Sequence, residues 1–554
     1  MKKIALKVLM AFAILLSQAS SAQFVSKTFF GQNAWMPDSV GNVSFNGNLN
    51  KTWGSIAASG AGVIRFGGTA VDQHMPTTSQ YMKMVDSIRG RGMEPMLQVP
   101  YNKGAYTPQQ AAAIVRYVNI TKGKAVKYWV IGNEPDLAYG YTTSAQVAAY
   151  MKAFSSAMKA VDPSILIVGP ECAWYNRNIY LGITTPGGPD DLTGKDAAGH
   201  YYVDMISFHT YPFKGDQQRS AVLSNLTGTG QFQENCAELN SRIQNCNSVN
   251  HRTDAPVKFG ITEANIDYSN PGGDNLNGVG ANSFIGGQFW AEMMGIAMQN
   301  GASMINFWSA IEGGGSATDI GFLGGSDPNL KKPSYYHYQM MAQNFRGNAV
   351  SVTDNHANVK AYASNDGQRV AVIILNEDQA STLNFTLKLN TTSVSGASTL
   401  KLNVNANIAK EYSDHINSQS SIVLVFDMQG NLIKKIEYKL NGNADANQAP
   451  TTTNYRESTS GTSEVKDAGK VNMKVYPNPA PHGKFTLEVE ANDPTAKAYV
   501  YNIAGQLVKV VKLNPVEGQV SEKIDMTNNT ASGLYIVQVK TETMAVSKKL
   551  IVTK

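Results

Sequence analysis

The sequence predicts an α/β chain: a closed (β/α)8 TIM barrel, then a β-sandwich, then a second small β-sandwich domain at the C-terminus. Three observations predict it. Eight short apolar runs alternate with amphipathic stretches up to residue 343, and a set of alternating runs follows to residue 440. A stretch almost without large apolar side chains (441–470) then precedes a last block of alternating runs. At 554 residues the chain is too long for a single core, so several domains are expected.

Residues 1–22, "MKKIALKVLMAFAILLSQASSA", combine a basic start (Lys2, Lys3, Lys7) with an apolar stretch from Val8 to Leu16. Small residues Ser20 and Ala22 stand where a signal peptidase reads, so cleavage after Ala22 is expected. The apolar stretch is too short to span a bilayer, and no later run is long enough, so no membrane span is expected.

The expected barrel, 23–343, has strand candidates "FFGQNA" (29–34), "VIRFGG" (63–68), "PMLQVPY" (95–101) and "YWVIGNE" (128–134). They continue with "ILIVGPE" (165–171), "MISFHTY" (205–211), "KFGITEA" (258–264) and "MINFWSA" (304–310). Between them, stretches such as "SQYMKMVDSIRGRG" and "SAQVAAYMKAFSSAMKAVD" carry apolar residues at helical spacing. Near-continuous apolar strands alternating with helices imply a parallel sheet with its outer face covered. Eight such repeats imply closure. An open doubly wound sheet is the alternative, but no Gly-rich phosphate loop follows the first strand.

From 344 to 440, "NVKAYAS", "QRVAVIILNE", "STLNFTLKLN", "STLKLNVNAN" and "SSIVLVFDMQG" are short runs parted by Asn, Asp and Gly, which reads as an antiparallel sandwich. Residues 441–470 bury too little to order themselves and read as a disordered linker. Residues 471–554 form the last β-domain.

Composition narrows the partners. The chain is 42% hydrophobic and 16% charged, with a formal net charge of +5. Loss of the three leader lysines brings this to +2, too little to suggest nucleic acid or a membrane surface. Of the three cysteines, Cys236 and Cys246 are close enough in sequence to close a disulfide loop outside the cytoplasm, leaving Cys172 buried and single. No spacing suggests zinc.

In a barrel the strand C-termini converge on one mouth. Here those tips offer Arg65, Asn133 with Glu134, Glu171, His209 with Tyr211, Glu263 and Trp308. A glutamate before a proline can also simply open a helix, and a buried arginine, histidine or tryptophan can be core. Glu171 is as readily structural as substrate-binding, and Asp136 belongs to a helix start. Two carboxylates facing each other among polar and aromatic partners are nevertheless what glycosidic bond cleavage needs: one protonates the leaving oxygen, the other meets the positive charge developing at the sugar carbon.

At these residues the chain resembles glycoside hydrolase clan A, the retaining (β/α)8 hydrolases. "GNEP" and "ITEA" resemble its catalytic fourth and seventh strands, "SFHTYP" its sixth-strand His-x-Tyr and "RFGG" its second-strand arginine. The "PSYYHYQMMAQNFRG" ending and the sandwich look like clan members with a C-terminal β-domain. "RFGGT" also resembles heparanase-like glucuronidases and arabinofuranosidases. The resemblance implies Glu134 as acid/base and Glu263 as nucleophile. It also implies Asn133 on the 2-hydroxyl of the reacting sugar, Arg65 and Tyr211 holding Glu263 ionised, His209 lining the pocket and Trp308 beneath the sugar. No metal or organic cofactor is required.

The long stretch 172–204, rich in Tyr and Gly, reads as a sugar-binding rim. At the C-terminus, "VYPNPAPHGKFTLEVE", "VYNIAGQLVKV" and "SGLYIVQVKTETMAVSKKLIV" resemble the sorting domain of Bacteroidetes type IX secretion cargo. That implies recognition of residues 471–554 by the type IX secretion machinery and a secreted or cell-surface location.

The expected function is a secreted retaining β-glycoside hydrolase, endo-acting on a plant- or algal-type polysaccharide such as a β-glucan. An exo-acting glucuronidase or arabinofuranosidase is the second reading. A non-catalytic glycan-binding surface protein is the third, and it predicts binding to poly- or oligosaccharide without turnover.

Overall fold

The structure is a computed structural model. It describes residues 24–34, 46–213, 217–268, 276–312, 319–324, 327, 329–390, 400–440, 448–455, 473–490, 496–502, 507–516, 519–527, 531–540 and 545–553. The expected signal segment, 1–22, lies outside the described residues.

All eight apolar runs form strands: β1 (Phe30–Ala34), β2 (Val63–Phe66), β3 (Glu94–Val99), β4 (Tyr128–Ile131), β5 (Leu166–Cys172), β6 (Met205–Thr210), β7 (Lys258–Ala264) and β8 (Ile305–Phe307). They pair in parallel in that order, and β8 pairs with β1 to close the barrel. The helices between them are set by local chemistry. Helices Thr78–Arg89, Pro108–Val115 and Ser144–Lys159 each open on a capping box, formed by Thr77 with Gln80, Thr107 with Gln110 and Thr143 with Gln146.

Inside the barrel the lower layer is apolar: Val63, Met96, Val130, Val168, Met205 and Met304 pack together. Strand side chains alternate between faces, so two residues further along the same strands the interior side chains become Arg65, Gln98 and Ser207. The period of two thus carries the chain from an apolar plug into a polar floor. Two register shifts alter it. One lies between Pro170 and Cys172 in β5, the other opposite Phe208 and His209 in β7. Each bulge adds a residue and re-aims its neighbours. As a result Glu171 faces inward instead of outward, and Thr262 and Glu263 both reach the interior.

The sandwich packs on the barrel within one compact unit, residues 1–458. Its seven-stranded sheet runs Phe24–Val25, Gly347–Val350, Val359–Asn365, Arg369–Asn376, Ser420–Asp427, Leu432–Lys439, Thr451–Asn454. Its four-stranded sheet runs Val352–Thr353, Leu400–Val404, Leu383–Lys388, Glu411–Ile416. Helix Phe284–Gln299 is buried on every side except at Gln299, because it lies between the barrel and the larger sheet. Gln288 on it donates to the carbonyls of Asn376 and Ser420, both at 3.1 Å.

Two expectations change. Thr451–Asn454, inside the stretch read as a linker, is an edge strand paired with Leu432–Lys439. All four side chains are polar and exposed, so only backbone pairing holds the strand and no apolar alternation announces it. Cys236 and Cys246 are buried free thiols on one helix, Phe232–Val249. Ten helical residues span roughly 15 Å, far beyond the Cα separation that a disulfide bridges.

Residues 459–554 form a second unit, with a three-stranded and a five-stranded sheet. Phe485, Leu487, Val489, Val500, Val537 and Val539 lie in its core. Among the described residues no helix is long and apolar enough to cross a membrane.

Candidate active site

Arg65, at the tip of β2, is fully buried and sits at the centre of the barrel mouth. Its guanidinium donates to Glu263 Oε2 (3.0 Å), Asn33 Oδ1 (2.9 Å) and Asn133 Oδ1 (2.7 Å), and more weakly to Gln98 Oε1 (3.4 Å). It also pairs with Glu171 Oε2 at 2.9 Å. Five strands are thereby tied to one planar cation, a use that suits the fixed fork of arginine.

Glu171 is also fully buried and accepts from Ser207 Oγ at 2.5 Å and Thr262 Oγ1 at 2.7 Å. Burial would raise its carboxyl, but Arg65, His209 and Ser207 outweigh it and hold the group down at about 2. His209 bridges Glu171 (Nε2, 3.2 Å) and Glu134 (Nδ1, 3.0 Å), with Glu263 Oε2 3.8 Å away. Burial opposes charge on the ring, yet Glu263, Glu134 and Glu171 raise it to about 10. His209 is therefore an imidazolium at neutral pH, and both ring nitrogens donate.

Glu134 stands in left-handed backbone (φ 47°) directly before the short helix Pro135–Ala138. Its position is that of an N-cap, but its side chain makes no capping bond. Glu263 accepts from Tyr211 Oη at 2.7 Å as well as from Arg65. Burial, the largest influence, pushes the Glu263 carboxyl above its ordinary range, with Glu134 adding to it and His209, Arg65 and Tyr211 opposing. Arg65 and Tyr211, expected to hold Glu263 ionised, do pull in that direction, against the larger effect of burial. Burial and the neighbouring Glu263 likewise push the Tyr211 phenol far up, so it remains a donor.

A cavity of about 950 Å3 opens above this network. Glu134, Glu263, Tyr211 and Trp308 line it. Trp308 lies against Gly68, where a Cβ would come within 2.8 Å of the indole ring. Gly68 has φ 99° and ψ −177°, a conformation open essentially to glycine alone. The indole N–H donates to Glu312.

The eight expected site residues thus come together in two layers. Glu134, Glu263, Tyr211 and Trp308 face the cavity; Arg65, Asn133, His209 and Glu171 stand behind them, each at most 3% exposed. Glu171, expected to bind substrate, does not line the cavity, because its backbone bulge turns it down into the barrel. Asn33, Gln98, Ser207 and Thr262 complete the network and were not singled out in sequence. Their signal was present as polar residues at period two within apolar runs.

One ligand atom each from Glu134, His209 and Glu263 lie within 4.8 Å of one another, an arrangement able to hold a metal ion. A metal would have to displace the proton from His209 Nδ1 and lie beside Arg65. The donor set therefore fits a hydrogen-bonded acid pair better than a cation.

Comparisons with known proteins divide by domain. Residues 474–553 match the secretion system C-terminal sorting domain, which makes this a secreted or cell-surface protein. No curated protein matches the chain in sequence. Among solved structures, an alpha-L-arabinofuranosidase from Thermotoga maritima is similar at 14% identity and a TM-score of 0.51, over 75% of this chain and 95% of that one. CelM2, a bifunctional glucanase-xylanase from a metagenome library, follows at 15%, 0.49, 73% and 96%. A GH30 endoxylanase from Clostridium papyrosolvens C71 follows at 14%, 0.47, 73% and 98%. The likeness to the arabinofuranosidase shows a shared fold, which in this chain is a closed parallel barrel followed by a β-sandwich.

Proposed function

We propose that this secreted chain is a retaining β-glycoside hydrolase that cuts within a polysaccharide, a β-glucan or related glycan. The observation that carries the reading is the pair of glutamates facing one cavity, with a carboxylate oxygen of each within 4.8 Å of the other. Separations of about 5 to 5.5 Å suit double displacement; inverting enzymes keep about 6.5 to 9.5 Å open for a water.

In the first step Glu263 attacks the anomeric carbon while Glu134 gives its proton to the departing oxygen. A glycosyl ester forms on Glu263 as the glycosidic bond breaks. In the second step Glu134 takes a proton from water, which attacks the same carbon and frees Glu263. Glu263 takes the nucleophile role because it receives the Arg65 and Tyr211 hydrogen bonds, both of which favour a carboxylate over its protonated form. Asn133, whose Oδ1 accepts from Arg65 and whose amide donates to Thr69 Oγ1 at 3.4 Å, keeps a second amide N–H for the sugar 2-hydroxyl. Trp308 supports the reacting ring. His209 holds Glu134 and Glu171 in fixed orientation.

Reducing-sugar release from a polysaccharide panel, with product lengths read by chromatography, tests the activity. Glu263→Gln is expected to abolish release, and azide is expected to rescue Glu263→Gly. Unaltered turnover in Glu263→Gln would remove Glu263 from its role. Binding to a glycan without turnover in the wild type would favour a carbohydrate-binding protein instead.

A further inference from the structure

We infer that Trp174 is the stacking platform for the first sugar on the leaving-group side of the cleaved bond, and that Asp136 holds it there. This rests on the retaining-hydrolase reading and extends it to substrates that continue past the scissile linkage.

Trp174 is 47% exposed and lines the same cavity as Glu134 and Glu263. It lies just beyond the tip of β5, the neighbour of β4, whose tip carries Glu134. The acid passes its proton to the leaving oxygen, so the departing chain lies on the acid's side of the cavity. Trp308 closes the other side, next to Glu263. Leu137, 62% exposed, and Phe232 line the same cavity as Trp174. A large flat indole and an open leucine beside an active centre form an apolar surface that the C–H face of a pyranose covers well. A cavity near 950 Å3 stands at the upper end of small-molecule pockets, which accommodates more than one ring.

The platform is held rather than loose. Asp136, two residues beyond Glu134 and 6% exposed, accepts the backbone N–H of Ala173 at 2.8 Å. The Trp174 carbonyl accepts from the Asn176 N–H at 2.8 Å. Tyr175 stacks on Tyr180 at 4.8 Å and meets Phe208 edge-on at 5.6 Å. One carboxylate therefore joins the turn that bears the acid to the loop that bears the indole. Asp136 is a positioning residue; it touches neither cavity nor substrate.

The test uses the full-length protein and oligosaccharides prepared from the polysaccharide that the wild type cleaves, set against the glycosyl fluoride of the same sugar. The fluoride places no sugar on the leaving side. Trp174→Ala is expected to lower kcat/KM on the oligosaccharides about ten-fold or more, with a loss on the fluoride at least five times smaller. Trp174→Phe keeps a flat face, and is expected to show the same skew at reduced size even if alanine unfolds the loop. Asp136→Ala should reproduce the skew, and Asp136→Asn, which keeps an acceptor for Ala173, should restore the wild-type ratio. Equal losses on both substrates overturn the platform. A wild-type ratio in Asp136→Ala overturns the coupling. If the wild type cleaves no member of the panel, the hydrolase reading fails and the platform falls with it.

Discussion

Arg65 is the residue on which the site's electrostatics turn. It is the shared partner of Glu171, Glu263 and Asn133, and no other arginine or lysine is within salt-bridge distance of either glutamate among the described residues. Arg65→Met fills similar volume but leaves two buried carboxylates short of a cation. Loss of one partner of a buried pair costs about 3–5 kcal/mol, and denaturant unfolding should read a loss of that size. His209 and Glu171 set a pH window as well. The raised His209 contributes stability that is whole below its ordinary 6.5 and is lost as pH rises through about 10. The depressed Glu171 contributes stability that is whole above its ordinary 4.5 and is lost as pH falls toward about 2. Tm measured against pH should therefore plateau between these limits for the wild type. In His209→Gln the alkaline decline from this pair should vanish; an unchanged alkaline limb would show that the ring is neutral in the folded state.

At the scale of the element, the decisive devices are the two bulges and the turn at Gly68. Gly68→Ala adds a Cβ into the Trp308 ring at a φ of 99°, and strain of this kind costs on the order of 1–3 kcal/mol. The expected result is a lower Tm together with a raised KM, because the indole must move; a change in Tm alone would separate Trp308 from substrate binding. The two helix cysteines make a simpler prediction: a reducing agent should leave Tm unchanged, since Cys236 and Cys246 are free. These elements also mark what the sequence discloses. Apolar runs announced all eight barrel strands, and the tips announced the catalytic candidates. The bulges at Glu171 and Thr262 were not legible, because a one-residue register shift leaves no trace in hydrophobic alternation. Sequence therefore leaves Glu171 open between a structural and a substrate-binding role, and the bulge places it beneath the cavity. The Thr451–Asn454 strand was hidden for the complementary reason: it is held by backbone alone.

At the scale of the molecule, the barrel and the sandwich form one unit and the sorting domain another. Truncation after residue 458 should therefore leave a folded protein with full hydrolytic activity while abolishing surface delivery, measured by assays of purified protein and of cell fractions. Truncation after residue 343 should not fold. It strips the seven-stranded sheet from helix Phe284–Gln299 and leaves Gln288 without its partners on Asn376 and Ser420. Two glutamates acting in turn on one sugar carbon leave their mark on the anomeric form of the first product. Proton NMR during the first minutes of hydrolysis should show the new reducing end in the configuration of the bond that was cut. First release of the opposite anomer would mean a single displacement by water and would rule out a glycosyl ester on Glu263.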